Sequence, residues 1–274
     1  MKIALQNTLI PVETNKDKAK WAKDHGADAI ELSATKIETM KQQADDMIGT
    51  LPISTVCGNS YNGQWDGSFE FLNPDIKKRR QSIDAARDIL KFCGQVGALG
   101  QIVVPIFGGP VVPDLSPFKT PLEIEDELCA AMLRELGAWA VENKVQVFLE
   151  ALNRYEMHYL RKQTDSVRLI KKADAKGLMI LSDFFHMHIE ETNTPAAFKE
   201  VGPHIGAVHL ADNTRMEPGT GDIDFVAGFK ALKAVGFKNY MAYECSISGE
   251  TKDEKAKNLA KSLDHVRACL AKAS

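Results

Sequence analysis

Four apolar runs in the C-terminal half of the chain each end on a side chain that can hold a metal ion. They read Val-Gln-Val-Phe-Leu-Glu150, Leu-Met-Ile-Leu-Ser-Asp183, Ile-Gly-Ala-Val-His209-Leu and Tyr-Met-Ala-Tyr-Glu244-Cys. Alone, a Glu at the end of such a run is an ordinary solvated loop residue, and a His an ordinary polar group. Four in equivalent positions on successive runs make a constellation far more specific than its members. Three carboxylates crowded together repel one another unless a cation intervenes. Three hard oxygen donors with one imidazole and no thiolate favour an octahedral Mn²⁺ site, with Co²⁺ or Mg²⁺ as alternatives, over a closed structural zinc site. Four protein ligands leave two positions for adjacent oxygens of a small molecule. Just beyond these runs lie Glu156, His186 and Arg215, placed to bind hydroxyl and carbonyl oxygens. His188, His158, Glu31 and the loop aromatics Tyr61 and Trp65 are weaker candidates, while His25, His204 and His265 receive no role.

The elements that must position these groups recur along the whole chain. Strands are predicted at Lys2–Leu9, Ala29–Ser33, Pro52–Cys57, Gln101–Phe107, Val145–Leu152, Leu178–Asp183, Ile205–Leu210 and Tyr240–Cys245. Most are short unbroken apolar runs, as parallel strands covered on both faces require. Amphipathic stretches such as Pro74–Gly97, Glu123–Asn143, Thr164–Ala173, Asp224–Val235 and Lys252–Ala273 predict helices between them. Eight strand–helix alternations without a break in composition predict a single (β/α)₈ barrel spanning residues 1–274, a TIM barrel in one domain. Connections from helix to strand are short and carry Gly or Asn, whereas those from strand to helix are longer. Gly58–Asn73 holds Tyr61, Trp65, Phe69 and Phe71, and Gly108–Pro121 holds two Gly and four Pro. Long loops of that kind gather at the C-terminal face of a barrel, where active sites form.

Composition excludes several classes of function. The 274 residues are 44% hydrophobic and 26% charged, with a formal net charge of −3. That balance excludes a disordered or collagen-like chain and gives no basic footprint for nucleic acid. No apolar run reaches the roughly 18 residues of a membrane helix, and the apolar start turns polar at Gln6-Asn7-Thr8, too soon for a signal-peptide core. Five scattered cysteines in no CxxC pair fit reduced thiols in a cytoplasm. No glycine-rich dinucleotide fingerprint follows the first strand, so no nucleotide cofactor is expected.

The run Leu149-Glu150-Ala151-Leu152-Asn153-Arg154-Tyr155-Glu156, then Asp183 through Glu191, then His209 through Arg215 with Pro218 through Phe225, resembles the sugar-phosphate isomerase/epimerase family with its xylose-isomerase-like barrel. The ketose 3-epimerases of the D-tagatose and D-psicose type are its best-known members. The resemblance implies that Glu150, Asp183, His209 and Glu244 bind Mn²⁺ or a similar ion. It implies that Glu150 and Glu244 double as acid and base, and that Glu156, His186 and Arg215 hold the oxygens at C1 and C2. Phe184 and His188 stand where the family commonly has Thr and Asn, and Asp222 where a His is frequent. The first strand offers Gln6-Asn7-Thr8 in place of the aromatics that the ketose 3-epimerases set around their sugar.

The expected activity is therefore a metal-dependent epimerase of a ketose or keto-sugar acid. Its two glutamates would deprotonate and reprotonate opposite faces of an enediolate stabilised by the cation. Rivals on the same scaffold are an aldose–ketose or hydroxypyruvate-type isomerase and a keto-inositol dehydratase. More remote are an endonuclease-IV-like DNA hydrolase, which needs His ligands that the first four strands lack, and a non-enzymatic sugar-binding protein. The expected partner is a small sugar, with no nucleic acid and no membrane, and a homo-oligomer is left open.

Overall fold

The computed structural model describes residues 1–59 and 70–273. The calls on Tyr61, Trp65 and Phe69 lie outside the described residues. Eight parallel strands close in chain order into a barrel: β1 (Lys2–Gln6), β2 (Ala29–Ser33), β3 (Ile53–Cys57), β4 (Gly100–Val103), β5 (Gln146–Glu150), β6 (Leu178–Asp183), β7 (Ile205–Leu210) and β8 (Tyr240–Tyr243). Around it pack α1 (Asn15–Asp24), α2 (Ile37–Met47), α3 (Ile76–Val96), α4 (Pro121–Glu142), α5 (Gln163–Ala173), α6 (Phe184–Glu190), α7 (Thr194–Val201), α8 (Phe225–Ala234) and α9 (Lys252–Lys272). Among the described residues no helix is long and apolar enough to cross a membrane.

Local chemistry sets the element ends. The Thr120 and Thr251 hydroxyls start α4 and α9 by accepting from the backbone of Glu123 and Glu254, whose carboxylates reach back, a reciprocal cap on each helix. Gly97 ends α3 in the left-handed conformation, at φ 73°, which lets the chain turn at once into β4. Several strands are shorter than the apolar runs predict. β1 stops at Gln6 because Asn7 turns inward, its Oδ1 accepting from Ser33 N at 3.0 Å. β4 stops at Val103, short of Pro105, which has no N–H for the ladder. β8 ends one residue before Glu244, although Glu244 N still donates to Leu210 O at 3.2 Å.

Inside the barrel, alanines fill one cluster (Ala4, Ala29, Ala242), and a second packs Ile102, Phe148, Leu181 and Ala207. The Phe148 ring fits because β7 carries Gly206 beside it, where a Cβ would lie 2.4 Å from the ring. Beyond this packed floor, the polar side chains at the C-terminal strand ends face a common space.

Candidate active site

Glu150 ends β5, Asp183 ends β6, His209 sits one residue from the end of β7, and Glu244 follows β8 directly. Each offers a ligand atom, and these four atoms all lie within 4.8 Å of one another. Glu150, Asp183 and His209 are buried, and the Glu244 side chain is 22% exposed. His209 Nδ1 is 3.2 Å from Glu244 Oε2, 3.7 Å from Glu150 Oε1 and 4.0 Å from Asp183 Oδ2. Yet neither His209 Nδ1 nor Glu150 Oε1 has a hydrogen-bond partner. Buried polar atoms are rarely left so, and two aimed into one nest of carboxylates fit a cation between them.

Two devices hold the nest. Asp183 also caps α6, its Oδ1 accepting from Phe185 N at 2.7 Å, so its other oxygen is fixed toward the cluster. Arg215 reaches in from the loop after β7, donating from Nη1 to Asp183 Oδ2 at 2.7 Å and from Nη2 to Glu244 Oε2. Its guanidinium lies 4.7 Å over the Phe185 ring. Arg215 takes φ 59°, and its loop is fastened to the next, with Ser246 N donating to Arg215 O at 2.8 Å.

Electrostatics divide the two glutamates. Burial pushes the Glu150 carboxyl up. Burial acts the same way on Glu244 and Asp183 but is outweighed: His209 and Arg215 hold Glu244 well below the ordinary carboxylate range, and Arg215 with His186 holds Asp183 down. His209 is correspondingly raised, its burial outweighed by Glu244 and Glu31.

The candidates for substrate contact fall on one wall. His186 is buried on α6, and its Nδ1 accepts from Asn153 Nδ2 at 2.8 Å and Asn153 N at 3.2 Å. Its other ring nitrogen, Nε2, lies 3.3 Å from Arg215 Nη1 and 3.9 Å from Glu150 Oε1. The same Asn153 amide donates to Glu156 Oε1 at 2.8 Å, so one side chain aims both groups. Asn153 follows β5 in sequence but carries no signal of its own, since its work is to orient others. The opposite wall, Ile102, Val104, Phe107 and Leu152, is apolar and closes a cavity of about 140 Å³ with Glu150, His186 and Arg215. A second cavity of about 460 Å³ shares Cys57, Arg215 and Glu244 with it and runs out over Gln6, Thr8, Ser33 and Ser246. Cys57 donates its thiol proton to Glu244 Oε1 at 3.2 Å. Cys57 ends β3, Ile102 lies on β4, Val104 and Phe107 follow β4, and Leu152 follows β5.

Weaker candidates go elsewhere. His188 lies 3.5 Å from Asp222, and both are exposed. His158 bridges Gly108 O at 2.8 Å and Glu125 at 2.7 Å, joining the loops after β4 and β5. Phe184 is fully buried against Phe198, Phe225 and Phe229, with ring centroids 5.1, 5.1 and 5.7 Å away. Gly228 makes room for it, since a Cβ there would lie 2.3 Å from the Phe184 ring.

The model of the xylose isomerase-like TIM barrel family matches residues 19–269. The chain belongs to that family. It is 34% identical over 276 residues to the 3-dehydro-D-guloside 4-epimerase of Escherichia coli K12, covering 98% of this chain and 100% of the relative. An L-ribulose 3-epimerase of Mesorhizobium japonicum is 35% identical over 131 residues, covering 48% of this chain and 43% of that protein. The crystal structure of apo 3-keto-D-glucoside 4-epimerase from E. coli superposes with a TM-score of 0.85 at 31% identity, over 98% of this chain and 100% of that one. D-Psicose 3-epimerase from Clostridium cellulolyticum H10, solved with D-tagatose, gives 0.80 at 20% identity over 98% and 99%, and shares the fold. The relative matched along its full length at 34% identity is thus a sugar epimerase, an enzyme of the isomerase class.

Proposed function

We propose that this chain is a divalent-metal-dependent epimerase, with Mn²⁺ as its ion, that inverts a carbon beside a ketone on the ring of a glycoside. One observation carries the reading: Glu150 and Glu244, on strands separated by two others, face a common space into which a buried carboxylate oxygen and a buried imidazole nitrogen point unpartnered. Glu150, Asp183, His209 and Glu244 would hold the ion. When bound, it supplies Lewis-acid stabilisation of charge developing on substrate oxygens. Glu150 and Glu244 exchange the proton of the carbon acid, one removing it from one face and the other returning a proton on the opposite face. His186, Glu156 and Arg215 orient neighbouring substrate oxygens. The apolar wall of Ile102, Val104, Phe107 and Leu152 keeps water from the reacting carbon. A glycoside rather than a free ketose is supported by the full-length relative that acts on a 3-dehydro-D-guloside and by the hydroxyl-lined cavity beyond Glu244.

The test is incubation of Mn²⁺-loaded enzyme with a 3-keto-glycoside in D₂O, followed by NMR. The expected product is the C4 epimer with deuterium at the inverted carbon and the glycosidic bond intact. Migration of the carbonyl would make the enzyme an aldose–ketose type isomerase, and loss of water a lyase. No reaction with keto-glycosides or free ketoses ends the epimerase reading.

A further inference from the structure

Glu31 is a buried carboxylate on β2, 1% exposed, with no place in the reaction just described. It accepts from three other strands at once. Thr55 Oγ1 on β3 donates to its Oε2 at 2.6 Å, and Gln6 Nε2 on β1 donates to its Oε1 at 3.3 Å. From across the barrel, His209 Nε2 comes within 3.2 Å of Oε1 and 3.3 Å of Oε2. We infer that Glu31 is a positioning residue that makes His209 a metal ligand. The inference rests on the metal reading of the site above.

A carboxylate only accepts, so the ring nitrogen facing it carries the hydrogen. In a neutral imidazole the other nitrogen is then the acceptor. That other atom is Nδ1, which is buried, lacks a hydrogen-bond partner and points among Glu244, Glu150 and Asp183. Glu31 therefore fixes both which nitrogen is free and where its lone pair points. Thr55 and Gln6 in turn keep the carboxylate from rotating away. Carboxylates behind a ligating histidine typically govern metal affinity by about 10–100-fold.

The experiment titrates Mn²⁺ alone into the full metal-stripped chain and reads free Mn²⁺ by EPR. Parent, Glu31→Gln and Glu31→Ala are compared, each also in a His209→Gln background, with folding checked by circular dichroism. Glutamine keeps the shape but can turn either its oxygen or its amide nitrogen to His209. The expected result is one Mn²⁺ per parent chain and a Kd raised about 10–100-fold by Glu31→Gln. In the His209→Gln background, Glu31→Gln should cause no further weakening, because both changes remove one interaction. A purely structural Glu31 would lower the melting temperature of the metal-free chain without moving the Kd, and that outcome overturns the inference. So would equal weakening in both backgrounds, or two ions per chain, which would make Glu31, Cys57 and His209 Nε2 ligands of their own ion. A parent chain that binds no Mn²⁺ instead defeats the proposed function itself.

Discussion

Replacing Arg215 with alanine separates the roles of the cluster's own cation and of the ion proposed to bind there. In the metal-free chain the guanidinium offsets Asp183 and Glu244 together, and both carboxylates give it charged partners that outweigh its burial and raise it above its ordinary range. Breaking a buried ion pair costs about 3–5 kcal/mol, because it strands a charge. Asp183 is fully buried, but the Arg215 side chain is 30% exposed and Glu244 22%, so water screens part of the loss. We therefore expect the low end, about 3 kcal/mol. At roughly 2–4 °C per kcal/mol for a chain near this size, the metal-free melting temperature should fall by about 6–12 °C. With saturating Mn²⁺ the deficit should shrink to less than half, since the ion then neutralises the same carboxylates, while metal content stays at one per chain. Differential scanning fluorimetry in EDTA and in Mn²⁺ reads both numbers. An unchanged melting temperature in EDTA refutes the electrostatic argument. Loss of the metal would instead make Arg215 a structural support of the ligands.

Phe184→Ala should destabilise the chain by about 3–5 kcal/mol in urea unfolding, because the ring is fully buried among three others and Gly228 cannot fill the space. A loss below about 1 kcal/mol would mean that α8 collapses onto the site. Glu190 gives a pH signature: burial raises its carboxyl, but the Arg154 side chain and backbone donors outweigh this and hold it below the ordinary value. A lowered folded value stabilises above the unfolded value and is lost as pH falls through the folded one. The stability gap between parent and Arg154→Ala should thus be full at pH 7 and shrink below about pH 4, read by denaturant unfolding across pH.

Much of the site was legible in the sequence because a barrel strand buried on both faces leaves a plain signal. The apolar runs before Glu150, Asp183, His209 and Glu244 mark where each strand ends, and closure in chain order makes those ends neighbours. The helix at Phe184–Glu190 was not legible. It has only seven residues, starts directly on β6, and is capped by Asp183, a residue whose place in the cluster already accounted for it. His186, placed by the sequence only just beyond a strand end, is therefore held on a helix. Nor was the far wall legible. Ile102 and Val104 look like ordinary core, and Phe107 reaches the mouth because β4 ends at Val103, short of Pro105. Glu31 gave a faint signal because its partners, Gln6, Thr55 and His209, lie on three other strands and meet it only across the barrel.

The central claim is that Glu150 and Glu244 work on opposite faces of one carbon. It is tested most directly by proton exchange in Glu150→Gln and Glu244→Gln, since an amide cannot act as the base. Each variant is loaded with Mn²⁺ and given either the substrate or its epimer in D₂O. The account predicts that neither variant inverts the carbon, while each still washes deuterium into the one epimer whose C–H faces the remaining glutamate, so that the two variants choose opposite epimers. Inversion at near the parental rate in either variant, or exchange of the same epimer by both, would contradict it.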